Sequence, residues 1–318
     1  MLPKVAAKPQ ISRVSYAGWD DCLRFVHGGV ELILATQVGI RILHAGFVGD
    51  ENLFHLFERE KGTTGGGQWR AYGGHRLWYA PEDRRVTYQP DNDPVTVEEL
   101  DGAIRLTQRA EPLSGVVKSL TISASAVHNN IHVLHELRNT SSVDLNISPW
   151  ALTIMRPGGV ALVPQEPFAA HDASTLLPRR GMALWAYTRM DDPRVTWGAK
   201  FIRIRQAQDP RGGWKLGVLN RTGWIAYGWR DCLFVKHTRV DPQRLYPDMN
   251  SSHEVYMDGR ILELETLGPC EVLRANGGTQ AHEETWGFYR VELAKHEDEL
   301  ERQLAPLTAR VMTPEPSR

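Results

Sequence analysis

The chain has 318 residues, of which 42% are hydrophobic and 24% are charged, and its formal net charge is −1. This composition is ordinary for a soluble globular protein. A net charge near zero gives no general attraction to nucleic acid or to an anionic membrane, and no apolar run approaches the roughly 20 residues of a membrane-spanning helix.

The cysteines and the N-terminal segment predict a cytoplasmic protein. Cys22, Cys232 and Cys270 lie far apart, so the sequence predicts neither a disulfide framework nor a cysteine-rich zinc site. The segment Met1–Gln10 lacks the continuous apolar core of a secretory signal. A reducing compartment is the simplest environment for such a chain.

Short segments with strand character, separated by turn residues, recur along almost the whole chain. In chain order the predicted strands are Val30–Ala35, Arg85–Gln89, Ala103–Gln108, Val116–Ser123, Ile131–Leu137, Val143–Ile147, Val160–Val163, Phe201–Arg205, Leu216–Leu219, Trp224–Tyr227, Leu233–His237, Ile261–Leu267 and Thr285–Leu293. Turn pairs such as Gly28–Gly29 and Asp101–Gly102 separate them. Many short strands with little helix predict an all-β sandwich or barrel.

Helical signal is limited to two segments. Asp50–Lys61 has room for a helical turn or two, and the charged, amphipathic His296–Leu304 predicts a short helix near the C-terminus. Residues 305–318 are predicted to form a flexible tail. Because no low-complexity linker or repeat interrupts the chain, residues 1–318 are predicted to form a single domain.

Ala71–Glu82 is the first segment that suits sugar binding. Two adjacent glycines allow unusual backbone angles and the close approach of a ligand. His75 offers a titratable ring, Arg76 a fork of donors and Trp78 a stacking face, which together suit the hydroxyls and the apolar face of a sugar. The alternative is a glycine turn followed by a core strand in which Trp78 is buried.

Two further segments contain candidate ligand-binding side chains. Trp150 follows a proline near a strand end, where an aromatic ring either lines a cleft or belongs to the core. Lys236 and His237 are neighbours on a predicted strand, so at most one of them faces any given cleft. Asp248 lies in the polar connection before the strand Ile261–Leu267, and loops often carry binding groups.

The strand Ile261–Leu267 has the strongest catalytic signal. Apolar and acidic residues alternate with period two, which puts Leu262 and Leu264 on one face and Glu263 and Glu265 on the other. Residues two apart on a strand face are separated by about 7 Å, a spacing that suits acid–base chemistry on a sugar. The alternative is a solvent-facing strand with ordinary surface glutamates.

The histidines His128, His132 and His135 do not predict a metal site. On a strand His132 and His135 face opposite sides, and His128 lies about 13 Å from His132 at roughly 3.3 Å per residue. Zinc requires nitrogen atoms about 2.1 Å from a common point. We therefore expect no metal, and no motif in the chain asks for a redox cofactor.

Four motifs together resemble a bacterial branch of the galactose mutarotase-like, or aldose 1-epimerase, superfamily. In order along the chain they are GGHRLWYAPE, SPWALTIMRPGG, YPDMNSSHEVY and LELETLGP, and the resemblance extends over about residues 20–293. It implies an all-β fold, a β-supersandwich of large twisted antiparallel sheets, with a sugar bound in a concave cleft.

The resemblance also implies catalytic roles. In mutarotases the base is the glutamate of a Glu-Thr-Gln strand motif near the C-terminus, and the triplet that starts at Glu265 matches it in place and in its first two residues. Mutarotases use a histidine as the general acid, but the matching stretch, Asn139–Leu152, contains none, and Trp150 lies closest to the aligned position. The predicted acid is therefore His75, with His237 as the second choice.

The leading hypothesis is an enzyme that interconverts the anomers of a sugar. Glu265 takes the proton from the anomeric hydroxyl while His75 protonates the ring oxygen, so that the ring opens and recloses on its other face. The residues expected to bind the sugar are Arg76, Trp78, Trp150, Lys236, Asp248 and Glu263. The protein is expected to act as a monomer or homodimer without a cofactor.

Two other functions stay open. The missing histidine is equally typical of a non-catalytic carbohydrate-binding or sensing protein that has kept the cleft. Alternatively, Glu263 and Glu265 act as a pair in a glycoside hydrolase or lyase, because carboxyl groups about 6.5–9.5 Å apart leave room for an attacking water. In each case the expected partner is a small-molecule sugar or oligosaccharide rather than nucleic acid or a membrane.

Overall fold

The computed structural model describes residues 8–125, 128–173, 175–207 and 212–313. They form mainly β-structure, with two helical segments, so the predicted all-β class is confirmed. Most of the N-terminal segment in which no secretory signal was predicted lies outside these ranges. No helix within them is long and apolar enough to cross a membrane.

The strands form two large antiparallel sheets. In chain order they are β1 (Gln10–Tyr16), β2 (Trp19–His27), β3 (Val30–Ala35), β4 (Arg41–Phe47), β5 (His75–Ala80), β6 (Thr96–Leu100), β7 (Ala103–Thr107), β8 (Val116–Ala124), β9 (Ile131–Asn139), β10 (Leu145–Met155), β11 (Val160–Pro164), β12 (Met182–Leu184), β13 (Val195–Trp197), β14 (Phe201–Arg205), β15 (Trp214–Val218), β16 (Trp224–Trp229), β17 (Cys232–His237), β18 (His253–Met257), β19 (Leu262–Leu267), β20 (Glu271–Leu273) and β21 (Thr279–Arg290). The helical segments are α1 (Pro247–Asn250) and α2 (Glu297–Met312). The first sheet has the order β1-β2-β3-β4-β5-β10-β19-β18-β15-β12, with β20 also paired to β10. The second has the order β13-β14-β11-β16-β17-β21-β9-β8-β7-β6.

The two sheets face each other across a shared hydrophobic core. Leu264 of β19, Leu120 of β8 and Phe234 of β17 belong to the same buried cluster. In the first sheet β19 lies between β10 and β18. Because side chains alternate along a strand, Glu263 and Glu265 point away from the core, to the outer face of the first sheet.

The outer face at β19 is nevertheless covered. Glu265 is fully buried and Glu263 is only 7% exposed. A strand buried on both faces is typical of the middle of a sheet that carries other structure on its outer side. The interpretation of Glu263 and Glu265 as ordinary surface glutamates is therefore wrong, and this part of the outer face forms the floor of a cleft.

Two local predictions are wrong. Arg85–Gln89 forms a turn rather than a strand, because the Asp83 carboxylate accepts hydrogen bonds from two backbone N–H groups of this segment. Asp50–Lys61 contains no helix, because the chain there runs along the first sheet and Phe54 forms a bridge with Met155 of β10.

The C-terminal helix is longer than predicted. α2 ends at Met312 rather than at Leu304. Residues 305–312 are therefore helical, and the prediction of a flexible tail is wrong for them. The last tail residues, 314–318, lie outside the described part of the chain.

Tertiary packing explains the extra length of α2. Leu304, Thr308 and Val311 are buried, and the helix packs on the outer face of the second sheet. Gly287 of β21 makes room for the helix, since a Cβ at this position would lie 2.6 Å from Val311. This buried face stabilises the helix past Pro306, although proline lacks a backbone N–H group.

Replacing Leu304 by alanine tests this docking. Leu304→Ala should lower the free energy of unfolding by about 2–5 kcal/mol, because it leaves a cavity between helix and sheet. Chemical denaturation measures the loss. Arg302→Ala, on the exposed face of the same helix, should change the free energy of unfolding by less than about 0.5 kcal/mol. Equal effects of the two substitutions would contradict the docking of α2.

Candidate functional site

A cavity of about 640 Å³ opens on the outer face of the first sheet. This volume lies within the range of about 300–1,000 Å³ that is typical of small-molecule sites. Strands β5, β10, β15, β18 and β19 contribute its floor. Aromatic side chains dominate its lining: Phe57, Trp69, Trp78, Tyr88, Trp150, Tyr187 and Tyr256.

The register of the first sheet brings the charged residues of the cavity into two adjacent rows. In one row, Arg76, Leu152, Glu265 and Glu254 lie opposite one another on β5, β10, β19 and β18. In the next row, Ile154, Glu263, Tyr256 and Lys215 lie on β10, β19, β18 and β15. Directly opposed residues on one face are about 5 Å apart. The sheet thus gathers three carboxyl groups and two cations into one site.

Among the described residues, only one of the two carboxylate oxygens of Glu265 has hydrogen-bond partners. Its Oε2 accepts a hydrogen bond from Trp150 Nε1 at 2.6 Å and another from Lys215 Nζ at 3.0 Å. Its Oε1 is buried and has no hydrogen-bond partner among the described residues. A buried acceptor without a donor is unfavourable, so a hydroxyl group of a ligand would be a favourable partner for it.

Lys215 lies at the centre of the site, and the sequence did not predict it. Its Nζ is 2.7 Å from Glu254 Oε2 and 3.0 Å from Glu265 Oε2, and it lies 4.6 Å and 4.7 Å from the ring centres of Trp150 and Trp185. Burial alone would lower the pKa of Lys215, but the two carboxylates hold that pKa above its ordinary value. The available signal was a lysine that alternates with large apolar residues on its strand, the same pattern as in β19.

Glu263 has a different electrostatic environment from Glu265. Its Oε1 lies 3.5 Å from Nη2 of Arg76, whose guanidinium carbon is 3.9 Å from the ring centre of Trp78. Burial raises the pKa of Glu263 to about 7, and it also raises the pKa of Glu254. A carboxyl group that titrates near neutral pH is suited both to donate and to accept a proton.

The structure brings most of the predicted sugar-binding residues together around the predicted base. The cavity is lined by Arg76, Trp78, Trp150, Glu263 and Glu265. Asp248 lies instead beside a second, neighbouring cavity. The remaining predicted site residues lie elsewhere in the molecule.

His75 and Lys236 lie on the other side of the cleft floor. His75 directly precedes Arg76 on β5, so the two side chains point to opposite faces. Arg76 lines the cavity, and His75 is fully buried between the sheets. Lys236 projects from β17 of the second sheet into the same interior layer and is also fully buried. The predictions that His75 and Lys236 contact a sugar are therefore wrong.

In this interior layer Lys236 ties the two sheets together. Its Nζ is 2.9 Å from Glu284 Oε1 and donates hydrogen bonds to the carbonyls of Ala151 and Leu264 at 3.2 and 3.3 Å. A further bond, of 3.1 Å, reaches the hydroxyl of Thr153. Burial alone would raise the pKa of Glu284, but Lys236 beside it holds that pKa well below its ordinary value. The ammonium therefore supports β10 and β19 from behind the cleft.

His75, His135 and Glu284 come from three different strands, and their polar atoms lie within 4.8 Å of one another. Spacing along a single strand does not reveal such a cluster. Hydrogen bonds account for it: His135 Nδ1 donates to the carbonyl of His282 at 2.9 Å, so its Nε2 accepts from His75 Nε2 at 2.8 Å. Burial lowers the pKa of both rings, and Lys236 supplies the positive charge beside Glu284. The cluster is thus explained without a metal ion.

His237 lies on the outer face of the second sheet. Both sheets and the core between them separate it from the cleft. It shares its strand face with Leu233 and Val235, which pack against α2. Burial lowers the pKa of His237 to about 4. The prediction of His237 as an alternative acid is wrong, and no histidine in the described part of the chain lines the cavity.

No protein-family model and no curated protein matches the sequence, whereas the fold is similar to that of solved structures. A galactose 1-epimerase from Lactobacillus acidophilus NCFM is 14% identical, with a TM-score of 0.51 over 91% of this chain and 100% of that one. A candidate aldose 1-epimerase from Klebsiella pneumoniae is 9% identical, with a TM-score of 0.55 over 93% of this chain and 86% of that one.

A larger protein also contains this fold. A TPR-domain-containing protein from Parabacteroides distasonis is 9% identical with a TM-score of 0.57 over 92% of this chain, which spans only 55% of that protein. Identities this low show the fold alone. The resemblance to galactose mutarotase-like and aldose 1-epimerase proteins is thereby confirmed at the level of the fold, a β-supersandwich.

The interior ion pair predicts a specific response to substitution. Lys236→Met should lower the free energy of unfolding by about 3–5 kcal/mol, because it leaves the Glu284 charge buried without its partner. Chemical denaturation should show that the double variant Lys236→Met/Glu284→Gln regains a large part of the lost free energy of unfolding. Lys200→Met, which removes only surface ion pairs, should have a much smaller effect than Lys236→Met, because solvent and salt screen such pairs. A Lys236→Met protein as stable as the wild type would contradict the role of the pair.

Proposed function

We propose that the protein interconverts the anomers of a neutral sugar, with Glu265 as the base and Glu263 as the proton donor. One observation carries the proposal: two buried carboxyl groups on one face of β19 lie on the floor of an aromatic cavity, one bound by a lysine and the other with a pKa near 7. The likeness in fold to epimerases supports the same reaction.

Ring opening requires two proton transfers. Glu265 accepts the proton of the anomeric hydroxyl, and Glu263 donates a proton to the ring oxygen as the bond between this oxygen and C1 breaks and the C1 carbonyl forms. Rotation about the C1–C2 bond presents the other face of the carbonyl. The reverse transfers then close the ring and return both carboxyl groups to their initial states, so no redox change occurs.

Glu263 takes the role that the sequence assigned to a histidine. A carboxyl group with a pKa of about 7 exchanges protons in the same pH range as an ordinary histidine, whose pKa is about 6.5. Arg76, beside Glu263, would bind a sugar hydroxyl or stabilise Glu263 after it has given up its proton. Trp78 and Trp150 are only 6% and 2% exposed, and their rings contact the Arg76 and Lys215 cations, so they position these charged groups at the cavity rather than offering open faces to the sugar.

The charges that line the cavity favour a neutral sugar. Carboxyl groups outnumber cations there: Glu60, Glu82, Glu263 and Glu265 against Arg76, Lys215 and Arg260. Lys215 and Arg260 each have a carboxylate oxygen at 3.0 Å, from Glu265 and Asp258, whereas Arg76 lies 3.5 Å from Glu263, the proposed proton donor. An anionic substituent would therefore find two of these three cations already paired, whereas hydroxyl groups would find both donors and acceptors.

A carbohydrate-binding protein without catalysis is the second candidate. The observation that favours it is the ion pair between Lys215 and Glu265, because an ion-paired and hydrogen-bonded carboxylate can bind sugar hydroxyls without taking up a proton. In that case the same cavity binds the sugar but does not accelerate ring opening.

Glu265→Gln separates the two candidates. For an epimerase it should slow anomer exchange by at least about 100-fold, because the amide cannot accept the proton, while sugar binding stays detectable. Proton exchange NMR with neutral hexoses measures the rate. Glu98→Gln, on the exposed edge strand β6, is the matched control and should leave the rate unchanged.

Other outcomes of this experiment are informative. Unchanged exchange in Glu265→Gln would remove Glu265 from the mechanism. Binding without accelerated exchange in the wild type would support the non-catalytic candidate. Release of new reducing ends from an oligosaccharide would identify a glycoside hydrolase instead.

The pKa of Glu263 predicts the pH dependence of turnover. Because the proton donor is the protonated carboxyl group and its pKa of about 7 is that of the free protein, kcat/KM should fall as the pH rises through about 7. Polarimetry of anomer exchange between about pH 5 and pH 9 measures this profile. Glu263→Gln should be about 100-fold slower and should lose the decline near pH 7. A wild-type rate that is flat across this range would contradict the role of Glu263.

A further inference from the structure

The cavity over β19 continues into a second cavity of about 800 Å³. The second cavity is lined by Pro81, Glu82, Arg84, Tyr88, Trp185 and Asp248. Glu82 and Tyr88 line both cavities, and the Tyr88 hydroxyl donates a hydrogen bond to the Glu82 carboxylate. The two cavities are therefore adjoining parts of one groove, with the Tyr88–Glu82 pair at their junction.

Each part of the groove has its own indole ring. Trp150 lines the first part and Trp185 the second. Lys215 Nζ lies 4.6 Å from the ring centre of Trp150 and 4.7 Å from that of Trp185, so one ammonium group fixes both rings by cation–π contacts. Indole faces suit the apolar faces of sugar rings. Trp150 itself is only 2% exposed, but the partly exposed rings of Trp69 in the first part and Trp185 in the second match two successive sugar units.

Polar groups complete the second part of the groove. The Asp248 carboxylate is an acceptor, and the Arg84 guanidinium presents several donors, so together they suit the hydroxyls of a sugar. Arg84 lies in the loop after β5, and Asp248 lies in the short segment α1 before β18. The second part thus combines an aromatic face with a donor and an acceptor, as the first part does.

The backbone that presents Asp248 is strained. Asp248, Met249 and Asn250 have φ values of 50, 58 and 73°, in the left-handed region that non-glycine residues rarely adopt. The side chain of Asn250 closes this turn by accepting a hydrogen bond from the Tyr246 N–H at 3.0 Å. Strained backbone persists where the surroundings hold it and is concentrated at functional sites. Here it places a carboxylate in the groove.

We propose that the substrate is a short neutral oligosaccharide with a free reducing end. Its reducing-end unit lies beside Glu263 and Glu265, and the next unit lies on Trp185 in the second part of the groove. The orientation rests on the proposed function, because only the reducing-end unit has an anomeric hydroxyl. The first part of the groove alone has the volume of a typical small-molecule site, so the whole groove exceeds the needs of a single hexose.

Calorimetric titration with sugars of increasing length tests this proposal. Three series of probes each start from D-glucose. The first continues with cellobiose and cellotriose, the second with maltose and maltotriose, and the third with lactose. In one series the disaccharide should bind at least about tenfold more tightly than D-glucose. In Arg84→Ala/Asp248→Asn the ratio of these two affinities should fall towards one. Arg239→Ala/Asp241→Asn makes the same changes at exposed positions outside the groove and should keep the wild-type ratio.

The outcomes distinguish this proposal from the proposed function. If D-glucose exchange is accelerated but no disaccharide binds more tightly, the second sugar site is overturned and the epimerase proposal stands. If a disaccharide binds more tightly, the double variant removes the gain and no sugar shows accelerated exchange, the second site is supported and the epimerase proposal fails. An unaltered ratio in Arg84→Ala/Asp248→Asn would overturn the second site directly.

Discussion

The alternation of side chains along the central strands of the first sheet is the constraint on which the rest of the site depends. β5, β10 and β19 are neighbours there and are covered on both faces. One set of their side chains joins the core between the sheets, and the other set faces the cleft. A step of one residue therefore moves a side chain from the cleft to the core, as Arg76 and His75 show.

Charged side chains are buried on both sides of this sheet. The two sides differ in how many of the carboxylate oxygen atoms have a hydrogen-bond or ion-pair partner. Between the sheets, both oxygens of Glu284 have partners, from Lys236 and Thr266 on one oxygen and Trp286 on the other. In the cleft, Glu265 Oε1 is buried, and none of the residues that the structure describes forms a hydrogen bond with it. Burying charge is unfavourable unless partners compensate it. The interior group is therefore structural, whereas the cleft keeps polar atoms that a ligand can satisfy.

Unlike surroundings give the two carboxyl groups of β19 unlike chemistry. Lys215 and Trp150 hold Glu265 as a hydrogen-bonded carboxylate. Glu263, with only a 3.5 Å contact to Arg76, is dominated by burial and titrates near pH 7. A carboxyl group whose pKa is about 7, next to a hydrogen-bonded carboxylate, is the arrangement on which the proposed proton transfers rest. Within the described part of the chain no histidine lines this cleft, so the site differs from the histidine-containing pattern that the motifs resemble.

The residue pattern of the chain determined the all-β class and the shared face of Glu263 and Glu265, because strand periodicity is a local property. The strand β4 was not predicted, since it is buried on both faces and its apolar and polar residues do not alternate. The length of α2 was also not predictable, because the contacts that extend it past Leu304 come from the second sheet.

Only the tertiary structure decided which face of each strand is the cleft and which residues meet there. Lys215 and Glu254 join Glu265 through the register of β15, β18 and β19, so their contact depends on pairings between distant segments. Lys236 was predicted to lie in the site but does not, because its strand belongs to the opposite sheet. Alternation along one strand assigns residues to two faces, but the packing of sheet on sheet determines which of these faces is the core.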